Sequence, residues 1–182
     1  MPATFSPGSL SGLVVIQPKV FPDGRGGFFE TYKESEYIAA GLVDRFVQDN
    51  HSVSSRGVLR GLHFQADPYA QGKLVRVIVG SVWDVAVDLR PSSTTFGRWY
   101  GLELSAENRT MLYLPPGFAH GFLTLSDTAE FVYKCTGEYH RESERGVRWD
   151  DPTLDITWPK LDVEFGVSEK DQALPWLKGL SL

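Results

Sequence analysis

The chain has 182 residues, 42% hydrophobic and 23% charged, which suits a single globular domain over 1–182 with a sizeable core. A formal net charge of −5 argues against a nucleic-acid partner, and one cysteine, Cys135, excludes an intrachain disulfide or a cysteine-built zinc site. Residues 1–11 lack the basic flank and apolar run of a signal peptide, and no apolar stretch approaches the ~18 residues that cross a bilayer, so a cytoplasmic protein with no membrane partner is expected.

Short apolar or alternating runs recur between Gly, Pro, Asn and Asp clusters, and 18 glycines with 13% aromatic residues favour strands. In chain order, strands are predicted over 12–19, 46–50, 59–65, 74–79, 82–89, 99–104, 110–114, 121–125, 130–135 and 146–149. Short helices are predicted over 35–40, before Gly41, and over 169–173, after an N-cap at Ser168. So many strands with so little helix predict an all-β sandwich or jelly roll. Gly80-Ser81 has the chemistry of a type II′ turn and predicts a hairpin between 73–79 and 82–89. In the second of these strands Val85 and Val87 share one face while Asp84, Ala86 and Asp88 share the other. Such an acidic face lines a polar cavity or meets charged neighbours.

The chemistry concentrates between Arg60 and Lys73. Arg60-Gly61-Leu62-His63-Phe64-Gln65, a polar loop and Gln71-Gly72-Lys73 put one imidazole and two cations near the inner face of a sheet, where an apolar core wants none of them. Pro115-Pro116-Gly117-Phe118-Ala119-His120 adds a second histidine, and the strand over 130–135 carries Tyr133. An imidazole with an unperturbed pKa near ~6.5 can exchange a proton at neutral pH. An isolated histidine is more often a hydrogen-bonded core residue, and a tyrosine on an apolar strand is usually packing.

Seven ordered segments resemble the dTDP-4-dehydrorhamnose 3,5-epimerase family. They begin with Asp23-Gly24-Arg25-Gly26-Gly27-Phe28-Phe29-Glu30, Gln48-Asp49-Asn50-His51-Ser52, Leu59-Arg60-Gly61-Leu62-His63-Phe64-Gln65 and Gln71-Gly72-Lys73. Asp84-Val85-Ala86-Val87-Asp88, Pro116-Gly117-Phe118-Ala119-His120-Gly121-Phe122 and Ser168-Glu169-Lys170-Asp171 complete the set. The resemblance implies a cupin-type jelly-roll β-sandwich, a homodimer, and epimerisation of dTDP-4-dehydro-6-deoxy-D-glucose at carbons 3 and 5 without a cofactor. It also implies roles: His63 as base, Asp171 as its carboxylate partner with Asp84 as a possible second contact, Tyr133 as acid, and Lys73 with Arg60 as cations for the enolate.

For the rest of a nucleotide sugar, Arg25, Arg60 and Lys170 are candidates for phosphate. Phe21 and Tyr139 are candidates to stack on thymine, with Glu30, Gln48, Asp49 and Asn50 as polar contacts. Glu144 matches a further family contact, and His120 is expected to bond substrate or the neighbourhood of Tyr133. Arg25, in a glycine-rich turn, is expected to reach across a dimer interface. Metal-binding cupins carry His-x-His with a following Glu, then Pro-x-Gly-x-x-His. Here Gln65 stands where the second histidine would be and Lys73 nearest the glutamate, so no metal is expected. Three other readings stay open: an epimerase of only one carbon, a sugar-nucleotide 3,4-ketoisomerase, and a jelly-roll binding module.

Overall fold

The computed structural model describes residues 3–180. Alternation of apolar and polar residues sets the strands. In Thr128–Cys135, Ala129, Phe131 and Cys135 are buried while Glu130 and Val132 stay partly exposed on the other face. The strands are β1 (Ala3–Pro7), β2 (Val14–Pro18), β3 (Phe21–Asp23), β4 (Gly26–Phe28), β5 (Gln48–Ser55), β6 (Val58–Gln65) and β7 (Lys73–Val79). They continue as β8 (Ser81–Asp88), β9 (Trp99–Ser105), β10 (Met111–Leu114), β11 (Phe118–Thr124), β12 (Thr128–Cys135), β13 (Glu144–Gly146) and β14 (Gly166–Val167). Helix α1 (Glu34–Ala39) follows β4, and α2 (Glu169–Gln172) follows β14.

Two antiparallel sheets face each other. One runs β1-β2-β10-β7-β12-β5 and the other β13-β6-β11-β8-β9, with β14 added parallel to β6. β3 and β4 form a separate two-stranded ribbon. Between the sheets lies an apolar layer that includes Val75, Val77, Leu112 and Phe131 from the first and Val82, Ala86, Leu104 and Phe122 from the second. Outside the first sheet, Tyr37 and Leu42 cover Leu74, Met111 and Ile16. Outside the second, Val147, Leu154 and Trp158 cover Leu62, Phe64, Val85 and Val87. Each large side chain buried this way contributes ~1.5–3 kcal/mol. A charged group among them is costly unless it is paired.

The hairpin expected at Gly80-Ser81 does not form. β7 pairs with β10 and β12, whereas β8 pairs with β9 and β11, so the turn carries the chain from one sheet to the facing one. Gly80 has φ +72°, and a Cβ there would collide with the Thr128 carbonyl and the Ser126 hydroxyl. Turn chemistry specifies the local bend; burial of both strands in the interlayer decides the partners. The strand expected over 12–19 is confined to Val14–Pro18, with Gly12 at φ +91° in the preceding turn. The one expected over 146–149 shrinks to the end of β13, after which Val147 exchanges backbone bonds with Leu62. Both helices form, and Ser168 caps α2 by accepting from the Asp171 N–H.

Candidate active site

The polar groups of the interlayer gather on β6 and β11, where two glycines allow an unusually close approach. A Cβ at Gly121 would sit 2.5 Å from the Arg60 carbonyl oxygen, and one at Gly61 would sit 2.7 Å from that of His120. Across this contact His63 and His120 are register partners.

Each histidine is held by an aspartate. His63 Nε2 lies 2.8 Å from Asp171 Oδ1, and the Gly61 N–H donates to Asp171 Oδ2 at 3.0 Å. Asp171 is presented by α2, which Arg148 anchors by donating to the Gln172 carbonyl at 2.6 Å. Burial pushes the Asp171 carboxyl up, but the bonds from His63 and Gly61 outweigh it and leave it below the ordinary range. His120 Nε2 lies 2.8 Å from Asp84 Oδ2, and both side chains are almost fully buried. Asp84 therefore belongs to His120 and does not contact His63 as the sequence suggested. Its inward direction was legible from the alternation in β8, but its partner depended on the sheet pairing.

Tyr133 on β12 and Lys73 on β7 come from the opposite wall. Lys73 Nζ is 6.0 Å from the centre of the Tyr133 ring. Burial lowers the affinity of Lys73 for its proton, while Cys135, Asp84 and Glu144 pull the other way. Burial raises the Tyr133 phenol, Cys135 adds to the shift and Arg60 opposes it. Among the described residues, neither group makes a hydrogen bond to the protein.

His63, Lys73 and Tyr133 each line both of two adjoining cavities. One, of about 320 Å³, also meets Ser52, Arg60, His120, Lys170 and Asp171. The other, of about 280 Å³, extends to Gln48, Asn50, Gln65, Gln71, Tyr139 and Glu144. Glu144 accepts from the Tyr139 hydroxyl at 2.8 Å and from Lys170 Nζ at 2.7 Å. Burial raises its carboxyl, but Lys170 and Tyr139 outweigh that and hold it below the ordinary range. Arg60 donates through Nε to Ser54 Oγ at 2.9 Å.

Four candidates lie elsewhere. Asp49 is one residue out of phase with Gln48 and Asn50, so it faces outward, where Lys134 pairs with it at 2.9 Å. Arg25 sits on the β3–β4 ribbon, where it pairs with Asp23, and its side chain is 90% exposed. Phe21 is exposed on the same ribbon, and neither it nor Glu30 lines the cavities. The sequence reasoning passed over Ser52 and Gln65 as site residues. The signal for Gln65 was its two-residue spacing from His63 on one strand face.

Residues 7–179 match the family model of dTDP-4-dehydrorhamnose 3,5-epimerase. The chain belongs to this family. The Shigella flexneri dTDP-4-dehydrorhamnose 3,5-epimerase is 56% identical over 148 residues, covering 81% of this chain and 82% of the relative. A crystal structure of the Legionella pneumophila dTDP-6-deoxy-D-glucose-3,5-epimerase, in complex with dTDP-4-keto-L-rhamnose, superposes with a TM-score of 0.94. It is 46% identical, covering 98% of this chain and 95% of that one. ChmJ, a 3′-monoepimerase from Streptomyces bikiniensis, gives a TM-score of 0.89 at 36% identity over 94% of this chain and 87% of its own. The two facing sheets are thus the cupin fold of the dTDP-4-dehydrorhamnose 3,5-epimerases, and the activity is that of an isomerase.

Proposed function

We propose that this isomerase inverts carbons 3 and 5 of dTDP-4-dehydro-6-deoxy-D-glucose by proton transfer between opposite walls of the interlayer cavity. The observation that carries the reading is the placement of His63 on one sheet and Tyr133 on the other, with Lys73 beside Tyr133 and lining the same cavities. Both carbons flank the 4-ketone, so loss of either proton leaves an enolate with its charge on the carbonyl oxygen. His63 Nε2 faces Asp171, so the Nε2–H tautomer leaves Nδ1 as the atom that takes the proton. Asp171 fixes that tautomer and stabilises the imidazolium that forms. Lys73 supplies the cation for the enolate oxygen; one such preorganised donor lowers a barrier by ~3 kcal/mol. Tyr133 returns a proton to the opposite face, and its raised phenol pKa keeps it in the acid form. His120, fixed by Asp84, is a hydrogen-bonding neighbour of the ketone.

The remaining candidates serve the nucleotide. Arg60 and Lys170 carry positive charge to the diphosphate, and Tyr139, Gln48, Asn50 and Glu144 line the cavity that would take the thymidine. Among the described residues, Arg25, Phe21 and Glu30 line neither of the two adjoining cavities. A homodimer in which the β3–β4 ribbon of one copy completes the site of the other gives them a role. The exposure of that ribbon, with Phe28 at 67%, supports it. The chemistry needs no metal: both histidines already direct Nε2 to an aspartate, and Lys73 brings an ammonium where a third ligand would stand.

Incubation with the 4-keto sugar nucleotide in deuterated water, without added metal, tests the reading. Deuterium is expected at carbons 3 and 5. Label at one carbon alone reassigns the protein to the monoepimerase activity named for ChmJ, and label at neither refutes the proposal.

A further inference from the structure

Two loops close the thymidine side of the site. The loop over 66–72 joins β6 to β7 and places Gln71 at the cavity just before Lys73. The loop over 136–143 joins β12 to β13, places Tyr139 at the same cavity and leads into Glu144. They are tied to each other at both ends. At one, the Gly72 N–H donates to Thr136 Oγ1 at 2.8 Å and the Thr136 N–H donates to the Gly72 carbonyl at 3.0 Å. Gln71 Nε2 adds a bond to the Gly137 carbonyl at 2.7 Å. At the other end, the Ala66 N–H donates to the Ser143 carbonyl at 2.9 Å.

Between these ties the rings of Tyr69 and His140 lie face to face, with centroids 3.7 Å apart and planes 1° from parallel. Tyr69 is 45% exposed, so the stack lies on the surface, outside the interlayer core. Overlapping flat rings gain dispersion contacts over their whole faces. His140 directly follows Tyr139, whose N–H donates to Gln48 Oε1 and whose hydroxyl donates to Glu144 Oε2, both at 2.8 Å. Those two bonds are exposed to competing water, so the aim of the Tyr139 ring depends on how firmly the next residue is held.

We propose that Tyr69 and His140 are a positioning pair for substrate binding, whose stack locks the 66–72 and 136–143 loops together and holds Tyr139 toward the nucleotide. The inference rests on the epimerase reading above, and it gives a task to two residues that line neither cavity. Lys73 lies beyond the Gly72–Thr136 bonds, which insulate it from the stack, so loss of the stack falls on binding rather than on the chemical step.

Tyr69→Ala and His140→Ala should each raise the Kd of dTDP, read by titration calorimetry, and the KM of the 4-keto sugar nucleotide by roughly 3- to 10-fold, the worth of an aromatic pair. kcat should change by less than KM. Tyr69→Phe, which keeps the stacking face, should recover most of the loss. The double alanine variant should be no weaker than the worse single one, because the second substitution finds the contact already gone. Thermal midpoints should stay level, since a surface loop opens without unfolding the sheets. Unchanged Kd in both alanine variants, effects that multiply in the double variant, or a Tyr69→Phe variant as weak as Tyr69→Ala overturns the proposal. So does a fall in kcat with KM unchanged. Binding of dTDP needs no turnover, so failure here is distinct from failure of the epimerase reading, on which deuterium incorporation by the wild-type protein reports.

Discussion

Replacing Asp171 by asparagine should damage the enzyme more than replacing it by alanine, and the geometry says why. In the wild-type protein Oδ2 must accept from the Gly61 N–H at 3.0 Å, while Oδ1 faces His63 Nε2 at 2.8 Å. An asparagine that keeps the Gly61 bond has to place its oxygen there, so its NH2 group meets Nε2. The imidazole then becomes an acceptor at Nε2 and carries its proton on Nδ1, the atom assigned to take a proton from substrate. A charge-assisted bond of this length is worth ~1.5–3 kcal/mol, so Asp171→Ala should lower kcat by about 10- to 100-fold. Asp171→Asn adds the wrong tautomer, for which losses of ~10⁴ have been measured in a serine-protease triad. Single-turnover release of deuterium from substrate labelled at carbon 3 or 5 isolates this step, with thermal melts confirming that both variants fold. An asparagine variant as active as the alanine variant, or more so, refutes the tautomer argument and leaves Asp171 a purely structural ligand of Gly61.

Tyr133→Phe should retain exchange of the substrate proton with solvent while inversion falls at least ~10²-fold, the usual contribution of a positioned acid; product stereochemistry by NMR reads both, and full inversion would remove Tyr133 from the mechanism. Lys73 should set the alkaline limit of activity. Burial disfavours its ammonium, so the proton leaves below the 10.5 of a free lysine, whereas the Tyr133 phenol moves the other way. The pH–kcat/KM profile of the wild type, which reports groups of the free enzyme, should therefore fall below pH 10.5. In Lys73→Arg, whose guanidinium keeps its proton, that limb should disappear even if the overall rate drops. The dimer is tested by complementation. Arg25→Ala and His63→Ala should each be nearly inactive, and mixing them should restore activity because half of the sites in a mixed dimer are intact. No recovery on mixing, with subunit exchange demonstrated, would return Arg25 to its own chain.

What the sequence could not supply was pairing. Periodicity located most strands and the inward direction of His63 and Asp84, because those follow from alternation within one strand, whereas Tyr133 was singled out only by the family resemblance. Gly80-Ser81 looked like a hairpin since the chemistry of a bend is the same whether the chain folds back in its sheet or crosses to the next. Asp84 was offered to His63 for the same reason, and only the pairing of β8 with β11, which sets Asp84 diagonally opposite His120, gives it that partner. Asp49 was grouped with Gln48 and Asn50 by adjacency, although a strand sends neighbours to opposite faces. The β3–β4 ribbon went unnoticed as strands because three exposed residues a side carry no apolar period. The motif around Arg25 was visible; its distance from the cavity was not.

His63 and Asp171 are 108 positions apart in sequence, and the shared contact is made through a helix of four residues. During synthesis β6 leaves the ribosome long before α2 exists, and the base has no fixed tautomer until that late segment settles against Gly61. Catalytic competence therefore requires the segment carrying α2 to be seated against Gly61, not the sandwich alone. Turnover becomes a reporter of whether the segment carrying α2 has seated, in a molecule whose sheets could already look complete to circular dichroism.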